Sequence, residues 1–128
     1  AGNDTFTVST VDATMDRSDG SSGKGIGFGR YYGYASTDAG GVGDQAFMIG
    51  SAGNDRFFGY ETHSYMVDSI NSFYNYTEGF DLVEADSGSG GTDDKAILYD
   101  GVGNDKLVGD LKSNEVRFQF DLLLPGLA

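Results

Sequence analysis

The sequence predicts an all-β protein, and three observations predict it. Twenty-one glycines and one proline are spread over 128 residues, a content that suits helices badly because each interior glycine costs a helix about 1 kcal/mol relative to alanine. The apolar residues fall in short clusters of strand length separated by Gly, Asn, Asp and Ser, the residues that tolerate tight turns. A pattern also recurs about every fifty residues, and short strands under a long period are the mark of repeat architectures.

The elements follow in order. The chain opens with "AGNDTFTV", an Asn-Asp turn running into an alternating strand. The glycine-rich "GKGIGFGR" (23–30) has neither the spacing of a dinucleotide fingerprint nor the Lys-Ser ending of a phosphate loop, so it reads as a loop or a glycine-packed strand. Next comes "RYYGY", and then "AFMI", "RFF", "YMV", "FYNY" and "FDLVEA", each short enough for one strand. The stretch "SYMVDSINSFYNY" (64–76) is the one window with any helical spacing, and its β-branched and aromatic residues favour strands.

The repeat appears when "DQAFMIGSAGNDRFFG" (44–59) is set over "DKAILYDGVGNDKLVG" (94–109). Asp44 and Asp94, Ala46 and Ala96, Asn54 and Asn104, and Asp55 and Asp105 coincide at a spacing of 50. The preceding segments 34–47 and 84–97 share Ala, four residues, Gly-Gly, two residues, Asp, one residue, Ala. The N-terminal "AGNDTFTV" matches "AGNDRFFG" at a spacing of 51. Residues 1–128 therefore read as one repeat domain: a half repeat (1–43), a full repeat (44–93) and a half repeat (94–128). Stacked copies that complete one another's core predict a β-solenoid or β-roll, with a β-sandwich of duplicated halves as the alternative.

Charge narrows the function. Twenty acidic against eight basic residues give a net charge of −12, which disfavours nucleic acid and anionic lipid surfaces. No run of about eighteen apolar residues predicts a membrane span. Without cysteine there is no disulfide framework and no thiolate metal site. An acidic chain rich in Asp and Asn suits a hard cation, and calcium is the candidate cofactor. Its candidate ligands are Asn3, Asp4, Asp44, Asn54, Asp55, Asp94, Asp100, Asn104 and Asp105. The same residues explain tight corners without an ion, because Asn and Asp side chains bond their own backbone and accept left-handed φ. Both readings stay open.

The segments "YTEGFDLVEADSGS" and "GGTDDKAILYDGVGNDKLVG" resemble the tandem repeats of roughly fifty residues in very large secreted or surface proteins of bacteria such as planctomycetes. The nested "GVGNDKLVG" is similar to the nonapeptide of RTX, or haemolysin-type, calcium-binding β-rolls. These resemblances imply a secreted or cell-surface location and a structural role. They also imply calcium at turns completed by a neighbouring coil, although each Gly-Asn-Asp here stands without an adjacent copy. Asp44, Asp94 or Asp100 would have to complete such a site.

Other chemistry finds little support. His63 is the only histidine, and pairs such as Glu84 with Asp86 arise often in so acidic a chain, so no enzyme activity is expected. The tyrosines at 31, 32, 34, 74 and 76 either ladder across strands or form a platform for sugars. The apolar "FQFDLLLPGLA" (118–128) is expected to cap the last coil or dock into a neighbour. The leading expectation is an extracellular structural repeat protein that assembles head to tail into a fibre, stalk or surface layer, through identical subunits or neighbouring repeats of a longer chain. Its alternative is a secreted carbohydrate-binding module using exposed tyrosines.

Overall fold

The structure, a computed structural model, describes residues 2–35, 43–70, 72–88 and 90–99, and the strands at 106–112 and 115–121. It is all-β, as expected. The strands are β1 (Thr5–Val8), β2 (Asp12–Asp16), β3 (Ser22–Ile26), β4 (Arg30–Tyr34), β5 (Gln45–Ile49), β6 (Asp55–Gly59), β7 (His63–Asp68), β8 (Tyr74–Glu78), β9 (Leu82–Asp86), β10 (Lys95–Leu98), β11 (Lys106–Lys112) and β12 (Glu115–Asp121). The glycine-rich 23–30 segment supplies most of β3 and the turn into β4, and the ambiguous 64–76 window supplies β7 and the start of β8.

Two mixed sheets form, in a sandwich-like arrangement. The larger, sheet A, has the order β11-β12-β9-β5-β1-β2-β3, and sheet B has β10-β6-β7-β8-β4. Among the described residues no solenoid coil is found, and the reason lies in how the repeats pair. In a solenoid each strand stacks on its counterpart in the next coil. Here the parallel pairs are β1·β5, β5·β9, β4·β8 and β6·β10, so each joins strands four apart while counterparts lie five apart. Successive strands pair antiparallel in β1-β2-β3, β6-β7-β8 and β11-β12. The chain visits the sheets in the order A, A, A, B, A over β1–β5 and B, B, B, A, B over β6–β10. The two five-strand units β1–β5 and β6–β10, whose boundary falls after β5 and not at the sequence repeat bound of 43/44, thus exchange the roles of the two sheets.

Two glycines mark corresponding sheet changes. Gly27 leads from β3 in sheet A to β4 in sheet B, and Gly79 leads from β8 in sheet B to β9 in sheet A; both have φ +80° and both precede a Phe. That φ is left-handed backbone, which a residue with a Cβ adopts at a cost. The Phe28 ring stands edge-on to Tyr31, 6.1 Å between centroids, while Phe80 is buried and stacks on Phe6 at 6.0 Å.

Alternation then fills the core. Sheet A contributes Phe6, Val8, Ala46, Met48, Val83 and Ala85, and sheet B contributes Tyr31, Phe57 and Met66. Burying side chains such as Met48 or Val83 stabilises by about 1.5–3 kcal/mol each. Gly33 sits beneath Phe6, where an added Cβ would come 2.5 Å from the ring. Sheet B also turns Ser64, Asn75 and Thr77 inward, all fully buried. Asn75 Nδ2 donates to the carbonyl of Ser9 across the sandwich at 2.9 Å, whereas Ser64 Oγ and Asn75 Oδ1 have no hydrogen-bond partner among the described residues.

Candidate functional site

Two constellations carry the polar and aromatic chemistry of the chain. The first is the set of Asn-Asp turns. Because β1 runs parallel to β5 and β6 parallel to β10, the Asp preceding the second strand of each pair lies beside the Asn-Asp turn of the first. Asp44 Oδ1 accepts the amide of Asp4 at 2.8 Å, and Asp94 Oδ1 accepts the amide of Asp55 at 2.9 Å. The same latch therefore occurs twice. Asn54 Oδ1 accepts the amides of Thr92 and Asp93 at 3.0 and 3.1 Å. Asp81 Oδ2 accepts those of Gly43 and Asp44 at 2.8 and 2.9 Å.

These carboxylates are tightly held. Asp55 takes the Ser51 amide on Oδ2 at 2.6 Å and the Ser51 hydroxyl on Oδ1 at 2.8 Å, and Asp4 Oδ1 takes the Ser18 amide at 3.0 Å. Burial pushes the carboxyl of Asp55 up, with the charges of Asp94 and Asp68 adding to the effect. Burial likewise raises Asp44, helped by Asp4 and Asp81. A cavity of about 340 Å³ opens beside this cluster, lined among others by Asp55, Ser87, Asp93 and Asp94.

Among the described residues no three carboxylate or imidazole groups converge closely enough to hold a metal. Calcium takes six to eight oxygens, whereas the oxygens that Asp44, Asn54, Asp55 and Asp94 turn toward the turns accept hydrogen bonds from amides and a hydroxyl. Asn3 packs beside Gly43. Asp100, Asn104 and Asp105 lie outside the described residues. Sequence reading missed Asp81, whose position in "EGFDLV" carries no Asn-Asp signal.

The second constellation is the outer face of sheet B. Its strands alternate strictly, so three rows of side chains cross the sheet. The middle row holds Ile97, Phe58, Tyr65, Tyr76 and Tyr32 in register. The next begins at Tyr99 and Tyr60, continues to His63 and Glu78, and ends at Tyr34. The rings touch in succession: Tyr99 on Tyr60 at 4.5 Å and 6°, Tyr60 on His63 at 4.5 Å and 10°, and Phe58 on Tyr65 at 4.6 Å and 18°. Tyr32 leans at 45° toward both Tyr74 and Tyr76.

The third row holds Lys95, Arg56, Val67, Tyr74 and Arg30, and its three cations are exposed. Glu78 is the one acid in the three rows, and it accepts the Tyr76 hydroxyl at 2.7 Å. Burial and Glu78 hold that phenol above its ordinary range. Of the five tyrosines named from the sequence, Tyr31 is buried, Tyr32 and Tyr34 are 51% and 60% exposed, and Tyr74 and Tyr76 are half-buried. His63 belongs to this ladder, and Glu84 lies on the outer side of sheet A.

The fold and these two constellations define an all-β protein of two mixed sheets in a sandwich-like arrangement. Compared with family models, curated proteins and solved structures, the chain matches none of them.

Proposed function

We propose that the chain is an extracellular structural repeat module that assembles with copies of itself, or with neighbouring repeats, into a fibre, stalk or surface layer. The interlock of the units carries this reading. β5 lies between β1 of its own five-strand unit (β1–β5) and β9 of the next (β6–β10), and β4 pairs with β8 of the next. Pulling neighbouring units apart would mean breaking parallel ladders in both sheets. β10, the counterpart of β5 in the sequence repeat, pairs with β6 and among the described residues has no strand on its second edge, and an open edge is a template for another strand. A contact made by different surfaces on the two copies does not close and extends into a filament.

Calcium enters as a proposal about the Asn-Asp turns, with chelation as its test. Sedimentation velocity over a concentration series, in calcium and in excess chelator, is the experiment. Concentration-dependent growth supports assembly, and its collapse on chelation supports calcium. A compact monomer in both buffers contradicts both.

The ring network and exposed tyrosines of sheet B favour a second reading, a carbohydrate-binding face. Phenol hydroxyls both donate and accept, which matches the hydroxyls of a sugar, and Tyr32 and Tyr34 leave ring surface uncovered at the β4 edge.

A further inference from the structure

The charge on the outer face of sheet B runs against the rest of the molecule. The whole chain carries −12, yet the row Lys95, Arg56, Val67, Tyr74, Arg30 puts three exposed cations on this face. Lys95 pairs with Asp93 at 3.2 Å on an exposed edge, a contact of the kind that exchanges readily with a competing anion. Strands lie about 4.8 Å apart, so Arg56 and Lys95 stand side by side and Arg30 lies about 14 Å further along the same row. Parallel to this row run the aromatic rows with their hydroxyls. We propose that sheet B binds an acidic polysaccharide laid across its strands, the carboxylates meeting Arg56, Lys95 and Arg30 and the sugar hydroxyls meeting the tyrosines.

This inference rests on the carbohydrate reading and names its substrate class. Arg and Tyr are also what protein interfaces favour, but protein partners are anchored by side chains seated in pockets. The cavity described above is instead lined by the inward-facing Phe57, Met66, Ala85 and Ala96 and by the 91–95 turn. What the outer face presents is rows of rings, hydroxyls and cations across parallel and antiparallel strands. That arrangement suits a chain of repeating hydroxylated, charged units. The molecule's net charge repels any polyanion at long range, so binding depends on the local row.

The test is affinity electrophoresis of the whole chain through gels holding polygalacturonate or a neutral β-glucan. The expected result is retention by polygalacturonate at least about tenfold stronger than by the glucan, an effect of the size that charge pairs give. The triple substitution Arg30→Gln, Arg56→Gln, Lys95→Gln should remove that preference and leave glucan retention unchanged. Tyr32→Ala with Tyr34→Ala should weaken both. All five positions are exposed, and a thermal melt of each variant checks folding. Equal retention of the two polymers, unmoved by the triple substitution, overturns the charge inference and leaves the carbohydrate reading standing. No retention of either polymer overturns both. Self-association in the absence of polymer that the triple substitution abolishes also overturns the inference, because the face is then a contact between copies.

Discussion

A single oxygen of Asp44, holding the amide of Asp4, fixes where β5 begins relative to β1, and Asp94 does the same for Asp55. Leaving a buried donor unpaired costs about 1–3 kcal/mol. Asp44→Ala should therefore lower unfolding free energy by about that amount. Asp44→Asn, whose amide oxygen can still accept, should stay within about 1 kcal/mol of the parent; denaturant melts of the two variants check this.

The carboxyl of Asp55 gives a pH signature. Its folded pKa lies above the ordinary 3.8, so the folded state keeps a proton that the unfolded chain has released. The stabilising contribution is full below 3.8 and is lost as pH rises through the raised value. Asp55→Asn removes this titration. The parent's stability minus the variant's should fall as pH rises from about 3.8, and a flat difference would contradict the assignment. At the buried, unpartnered Ser64 hydroxyl, Ser64→Ala should be neutral or stabilising by up to about 1 kcal/mol in the same melts.

At the scale of elements the strands were largely legible in the sequence. "AFMI", "RFF", "YMV", "FYNY" and "FDLVEA" all fall in or across strands, because alternation and turn residues are local signals. Their pairing was not legible. A period of fifty shows that units recur, while the choice between stacking each strand on its counterpart and joining strands four apart is made at the sheet changes. Two of those sheet changes sit at Gly27 and Gly79, which are 52 apart and fall outside the fifty-residue alignment. The two glycines share φ +80° but differ in surroundings: an added Cβ meets nothing at Gly27, and lies 2.9 Å from the Ala35 carbonyl at Gly79. Gly27→Ala should cost about 1 kcal/mol from backbone strain alone, and Gly79→Ala measurably more; equal losses would contradict the role given to the second turn.

Asn3-Asp4 leads into β1 and Asn54-Asp55 into β6, where Asp4, Asn54 and Asp55 accept backbone amides of other segments. What composition did not reveal was that parallel pairing brings a second Asp, Asp44 or Asp94, beside the Asn-Asp pairs at 3–4 and 54–55, where its carboxylate accepts a backbone amide. The cation row was hidden for a related reason. Lys95, Arg56 and Arg30 are far apart in sequence, and only the order β10-β6-β7-β8-β4 sets them in one line.

For the whole molecule, exchange of sheet roles between units makes the two sheets one continuous object, and this is the central claim. It predicts that the units unfold together. Hydrogen exchange should show the amides of β1 and β5, from one five-strand unit, and of β9, from the next, opening with a single free energy, as expected for one cooperative body. The most direct measurement is native-state hydrogen exchange under graded denaturant, read at Phe47 and at its partners Thr7 and Glu84 in the neighbouring strands. Merging of the three exchange curves before the global transition is the predicted result. Independent opening of β9 with its unit, while β1 and β5 stay protected, would contradict it.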